Sequence, residues 1–142
     1  MRSVAELLDQ KGREVWSVKP DDSVLDALRK MAEKEIGALV VREGERVVGI
    51  LSERDYARKV ILQSRSSKDT PVRDIMTPNV ISVDPRKTID ECMVIMTNGR
   101  IRHLPVVEEG RLVGIVSIGD LVKETIEEQK FVIRQLESYI TQ

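Results

Sequence analysis

Apolar positions along the chain change their spacing in a fixed order. Val15 to Val18 is a short apolar stretch stopped by Pro20, which predicts a strand. Val24, Leu28 and Met31 then recur at helical spacing behind Asp22 or Ser23, either of which can cap a helix. Ala38–Val41 and Val47–Leu51 are β-branched runs on either side of Arg42-Glu43-Gly44-Glu45-Arg46, a hairpin pattern with glycine for the turn. Ser52 closes the second run and opens a helix carrying Tyr56, Val60 and Ile61. The predicted order is strand, helix, hairpin, helix.

That order occurs twice. Shifted by 65 residues, positions 16–56 overlie 81–121 without a gap, matching Ser17 with Ser82, Pro20 with Pro85, Met31 with Met96, Ile36 with Ile101 and Leu39 with Leu104. Val48-Gly49-Ile50-x-Ser52-x-x-Asp55 returns as Val113-Gly114-Ile115-x-Ser117-x-x-Asp120, with Thr88 as the second helix cap and Gly110 in the second turn. Self-similarity at a fixed period marks duplicated structural units. A unit of ~60 residues buries only about 60% of its unfolded surface, so the halves are expected to pack on each other and to form clefts where they meet. The polar, serine-rich stretch 63–70 reads as the connection. The organisation expected is residues 1–64 as repeat one with its N-terminal segment, 65–71 as linker, 72–121 as repeat two, and 122–142 as an extended C-terminal helix.

The last helix is predicted from about Asp120 to Ile140. Val122, Ile126, Gln129, Ile133, Leu136 and Ile140 follow a heptad-like 4-3-4-3-4 spacing that outruns the repeat. Such a stripe must be covered, either by the chain's own domain or by a second copy.

Composition narrows the function classes. The 142 residues carry 23 Lys+Arg and 24 Asp+Glu, a net charge of −1 that offers no basic field for nucleic acid. Trp16, Tyr56, Phe131 and Tyr139 are too scattered for a base-stacking platform. The longest uncharged apolar run, Leu112 to Gly119, falls far short of the ~20 residues of a membrane span, and the N-terminus has no secretory pattern. With a single cysteine no intrachain disulfide forms; the expected setting is cytoplasmic, without nucleic-acid or membrane partners.

Catalysis finds little support. Neither Gly-x-x-x-x-Gly-Lys-Ser/Thr nor Gly-x-Gly-x-x-Gly occurs, and one histidine with one cysteine cannot supply a usual metal site. Cys92 takes the place of Ala27 on an apolar helix and reads as a small buried hydrophobe. The repeated Ser-x-x-Asp has two readings that the sequence leaves open. It is a capping box, with serine as N-cap and the acid three residues on. It also sets a hydroxyl, free N–H groups and a carboxylate at a helix N-terminus, where they would suit a ribose and a phosphate.

The duplication, Val72-Arg73-Asp74-Ile75-Met76-Thr77 before repeat two, Ile101-Arg102-His103-Leu104-Pro105-Val106-Val107, and the two Gly-x-x-Ser-x-x-Asp runs together resemble a tandem pair of cystathionine-beta-synthase (CBS) domains, a Bateman module. Val4-Ala5-Glu6-Leu7-Leu8 resembles a weaker copy of the segment at Val72, and Ser52-Glu53-Arg54-Asp55-Tyr56 is similar to small stand-alone members. The resemblance implies an α/β (α+β) fold of two β-α-β-β-α repeats related by a pseudo-twofold axis. It also implies a non-catalytic regulatory module that binds an adenosine nucleotide, AMP first, with ATP and NADH as alternatives. On that pattern Asp55 and Asp120 would hold ribose hydroxyls, and Ser52, Ser117 and Thr77 would face phosphate. Trp16, Val18, Ala38 and Val40 would wall one base pocket, and Val80, Ile81, Ile101 and Pro105 the other. Arg54, Arg102, His103 and Lys19 would balance phosphate charge. The resemblance further implies a homodimer and, with no effector domain in the chain, an unidentified protein effector in trans. The competing reading is a ligand-free dimeric scaffold that works through its C-terminal helix.

Overall fold

The computed structural model describes residues 2–141. Ser3 caps α1 (Val4–Lys11), and Gly12 ends it. After the short β1 (Ser17–Val18), Ser23 caps α2 (Val24–Lys34), while the neighbouring candidate Asp22 instead accepts the Lys19 N–H at 2.9 Å. The hairpin follows as β2 (Ala38–Glu43) and β3 (Arg46–Ser52), with Gly44 at φ 60 in the turn. The helix expected after Ser52 is only α3 (Glu53–Tyr56), which widens into a π-helical turn over Ala57–Ile61. That turn brings Val60 into the core and leaves Ile61 exposed.

The second half repeats the plan with a 3-10 turn at Val72–Asp74, α4 (Ile89–Gly99), β4 (His103–Glu108), β5 (Arg111–Ser117) and α5 (Ile118–Ile140). Its first strand is reduced to a single parallel bridge between Val83 and Val106. The substitution of Pro105 for Val40 accounts for this. In repeat one the Val40 N–H donates to the Trp16 carbonyl, and Pro105 at the equivalent place has no N–H to give. Three strands therefore order as β1-β2-β3 in the first half and two as β4-β5 in the second.

The connection is not slack. Thr70 is buried, and the carbonyls of Thr70 and Ser67 accept the Val24 and Leu25 N–H groups, satisfying donors that the first turn of α2 would otherwise leave orphaned.

The two cores are closed by exchanged segments. Val4, Leu7 and Leu8 of α1 pack with Val83, Ile89, Met96, Leu104, Val116 and Leu121, all of the second half. Val72 and Ile75 pack with Val18, Val24, Met31, Leu39 and Leu51 of the first. The N-terminal segment, grouped with repeat one by its place in the chain, thus completes the core of repeat two. This crossing explains the glycine of the repeated motif. A Cβ on Gly49 would meet the Met76 sulfur at 2.5 Å, and one on Gly114 would meet Leu8 at 2.7 Å. Only glycine lets the crossing segment lie that close to the strand.

Leu8→Ala is expected to lose about 2–5 kcal/mol in urea denaturation, as much as a central core leucine such as Leu104. A loss below about 1 kcal/mol would show that α1 is a peripheral appendage.

Candidate functional site

At the end of β3 the Ser52 hydroxyl accepts the Asp55 N–H at 3.2 Å, and Asp55 Oδ2 accepts from the Ser52 N–H and hydroxyl at 3.0 Å each. The same reciprocal box joins Ser117 and Asp120 at the start of α5. The capping reading is therefore correct in both repeats. It does not use up Asp55, whose Oδ1 faces Lys59 at 3.2 Å and keeps acceptor capacity.

Asp55 opens onto a cleft of about 460 Å³ between the halves, within the ~300–1,000 Å³ typical of small-molecule sites. Ser52, Arg54, Asp55, Thr77, Val80, Ile81, Ile101, Arg102 and His103 all line it. The backbone bridge between Ile50 and Thr77 forms its floor, with N–H···O distances of 3.0 and 2.8 Å. The apolar wall of repeat two thus stands opposite the Ser-x-x-Asp of repeat one, a cross-repeat pairing.

The remaining expected residues lie elsewhere. Val18 and Lys19 line a separate groove beside Arg42 and Arg73. Ala38, Val40 and Pro105 are buried. Trp16 packs on the first core with the Lys34 ammonium 4.1 Å from its ring centroid. Ser117 caps α5, and Asp120 lines a groove along α1 and α5.

The second half is not an equivalent cleft, and Lys11 shows why. Its Nζ donates to the Ile115 carbonyl at 2.8 Å and to Asp120 Oδ2 at 2.5 Å. Ile115 corresponds to Ile50, whose carbonyl accepts the Thr77 N–H in the first half. A lysine amine has taken the place of a backbone donor and clamps the acid. Burial opposes charge on Asp120, yet Lys11 and the Ser117 N–H outweigh it and hold the carboxyl below its ordinary range. Charge diverges as well. The 65-residue offset sets Gly119, Glu35 and Gly37 where the first cleft has Arg54, Arg100 and Arg102.

Arg100, Asn79, Gly37, Ile50 and Glu53 also line the cleft and escaped the sequence reading. Arg100 sits in the left-handed conformation that ends α4, at φ 52, and this aims the chain into Ile101. Its place beside Ile101 was the available signal. Lys11 had none, because the segments before the two repeats differ in length and do not align.

His103 is half-buried. Desolvation, reinforced by Lys11 and Arg102 and only partly opposed by Asp120, pushes its pKa below the ordinary 6.5 and favours the neutral ring. Burial, with Glu91 adding, pushes the Cys92 thiol up to about 11, so it stays an inert apolar group as expected. Among the described residues no cluster of His, Cys, Asp and Glu could hold a metal, and no helix is long and apolar enough to cross a membrane.

The CBS domain family matches residues 4–62 and 72–127. The chain belongs to the CBS-domain family. The CBS domain-containing protein CBSX3, mitochondrial, of Arabidopsis thaliana is 40% identical, over 97% of this chain and 71% of its own length. A CBS-domain protein from Burkholderia ambifaria superposes with a TM-score of 0.86 at 52% identity, covering 90% of this chain and 96% of its own. One from Agrobacterium tumefaciens does so with 0.83 at 45% identity, covering 87% and 99%. CBS-domain pairs are generally regulatory, ligand-binding units, and they commonly take adenosine ligands.

The His103 shift carries a sign that titration can read. The fold disfavours the charged ring, so the neutral form's contribution is fully present above the unfolded value of 6.5 and is lost as pH falls from there through the ring's lower folded pKa. His103→Gln should flatten the fall in stability of the ligand-free protein between about pH 7.5 and 5.5. An unchanged profile would place His103 in contact with bulk water.

Proposed function

We propose that this CBS-domain chain is a non-catalytic regulatory module that binds one adenosine nucleotide in the cleft between its repeats. The observation that carries the reading is the convergence in that cleft of Ser52, Asp55, Thr77 and three arginines with the apolar side chains Val80, Ile81 and Ile101. The base would slot against the apolar wall, and Asp55 Oδ1 would accept from the ribose hydroxyls. Phosphate would meet Ser52, Thr77 and the guanidinium groups of Arg54, Arg100 and Arg102, whose planar donor forks suit it. AMP is the first choice. ATP and NADH share the adenosine ribose-phosphate that these groups would read. The Lys11 clamp and the loss of the arginines in the second half support one site per chain.

Because the ligand would touch both repeats, occupancy would bias their relative orientation, by no more than its differential affinity for the two arrangements. The output would pass in trans to an unidentified protein effector, in the cytoplasm. A dimeric scaffold without ligand is the competing reading, favoured by the exposed C-terminal helix.

Calorimetric titration of nucleotide-stripped protein with AMP, ADP, ATP, NAD and NADH tests both. The expected result is a stoichiometry near one per chain, with AMP bound. Asp55→Ala should weaken AMP about tenfold or more, since a hydrogen bond to a charged group contributes ~1.5–3 kcal/mol. Asp120→Ala should change affinity less than about twofold, because Lys11 already engages that acid. No heat with any of the five, from folded protein, would favour the scaffold.

A further inference from the structure

The chain has a single histidine, and the fold sets it on the wall of the cleft. His103 opens β4 opposite Ser117, and the neighbouring Arg102 carbonyl accepts the Ile118 N–H at 2.8 Å, which fixes the backbone there. The 65-residue offset sets Ala38 at this place in repeat one, so duplication did not give both halves an imidazole.

Charge surrounds the ring unevenly. Within the cleft Arg54, Arg100 and Arg102 stand against Glu53 and Asp55, and Asp55 is already matched by Lys59 at 3.2 Å. Outside the cleft, Lys11 of α1 adds its repulsion to that of Arg102. Asp120 of α5 offsets them only in part, because Lys11 clamps it. Burial acts in the same direction as the cations, so the protein by itself holds the ring neutral at neutral pH. A phosphate reverses this balance. A phosphomonoester brings a charge of about −1.5 to −2, and one opposite charge within ~4–6 Å moves a pKa by about 1–3. It also answers the arginines that repel the imidazolium. The neutral ring offers one donor, whereas the imidazolium offers two to phosphate oxygens.

We infer that the cleft takes up a proton together with a phosphate-bearing guest, and that His103 receives it. The inference rests on the nucleotide reading above and adds a second, smaller ligand to it. Its sign follows from linkage. The ring holds its proton more tightly with the guest than without, so affinity rises as pH falls from about 8 to 6.

Proton NMR of the untagged chain reads the ring directly, since one histidine gives one C2–H titration curve. Saturating AMP should move its midpoint upward by about one pH unit or more, and adenosine, which lacks the phosphate, far less. Calorimetry supplies the second arm. The ratio of wild-type to His103→Gln affinity for AMP should grow about fivefold or more between pH ~8 and ~6. AMP itself titrates near pH ~6, and that effect cancels in the ratio. His103→Ala, which copies Ala38 of repeat one, should give the same slope and guards against a packing fault in the glutamine variant. A midpoint that bound AMP leaves in place, one that adenosine moves as far, or a ratio flat with pH would overturn the proton uptake and leave the nucleotide site standing. Failure of AMP, ATP and NADH alike to bind would remove both.

Discussion

The structure depends on the close passage of two short segments over two glycines. Leu8 lies over Gly114 and Met76 over Gly49, each carried by the residues that precede the other repeat. Neither half can close its core from its own strands and helices. The hydrophobic stabilisation of each is therefore conditional on the other, and the cleft between them is lined in large part by irregular segments that the packed cores hold in place, such as Asn79 to Ile81 and Arg100 to Arg102. The Ile50–Thr77 bridge is a direct product of that crossing, since Thr77 follows the segment that fills the first core.

Duplication supplied the same parts twice, and small differences gave them different uses. Both Ser-x-x-Asp elements cap a helix in the same manner. In the first, the acid faces an open cleft bordered by arginines. In the second, α1 runs long enough for Lys11 to reach the equivalent carbonyl and acid. The choice between a cleft-facing and a self-satisfied carboxylate thus rests on the length of a helix more than a hundred residues away in sequence.

Much of this was legible in the residues themselves. Periodicity located α2, α4 and both hairpins, and the 65-residue offset implied two packed halves. The cleft's Ser52, Asp55, Thr77, Val80, Ile81 and Ile101 followed from the resemblance that those patterns supported. What the sequence could not convey was exchange. Val4 to Leu8 reads equally well as part of either half, because an apolar helix face does not state which core it enters. The other base wall, expected at Trp16, Val18, Ala38 and Val40, does not line that cleft: Ala38 and Val40 are buried on the sheet face opposite the core residues Leu39 and Val41, and Val18 and Lys19 line another groove. The C-terminal stripe was visible as a pattern, and only the structure showed that the domain ends before the pattern does.

Pro105 has a consequence for how the cleft meets a guest. By silencing one strand-to-strand bond it leaves Val80 to Ser82 outside the sheet, suspended between the Ile50–Thr77 bridge and the Val83–Val106 bridge, while the facing wall at Ser52 to Asp55 is locked by a capping box. The cleft has one wall fixed by a cap and one wall suspended between two bridges. Any backbone freedom in the suspended wall that a guest had to fix would cost about 1–2 kcal/mol per residue.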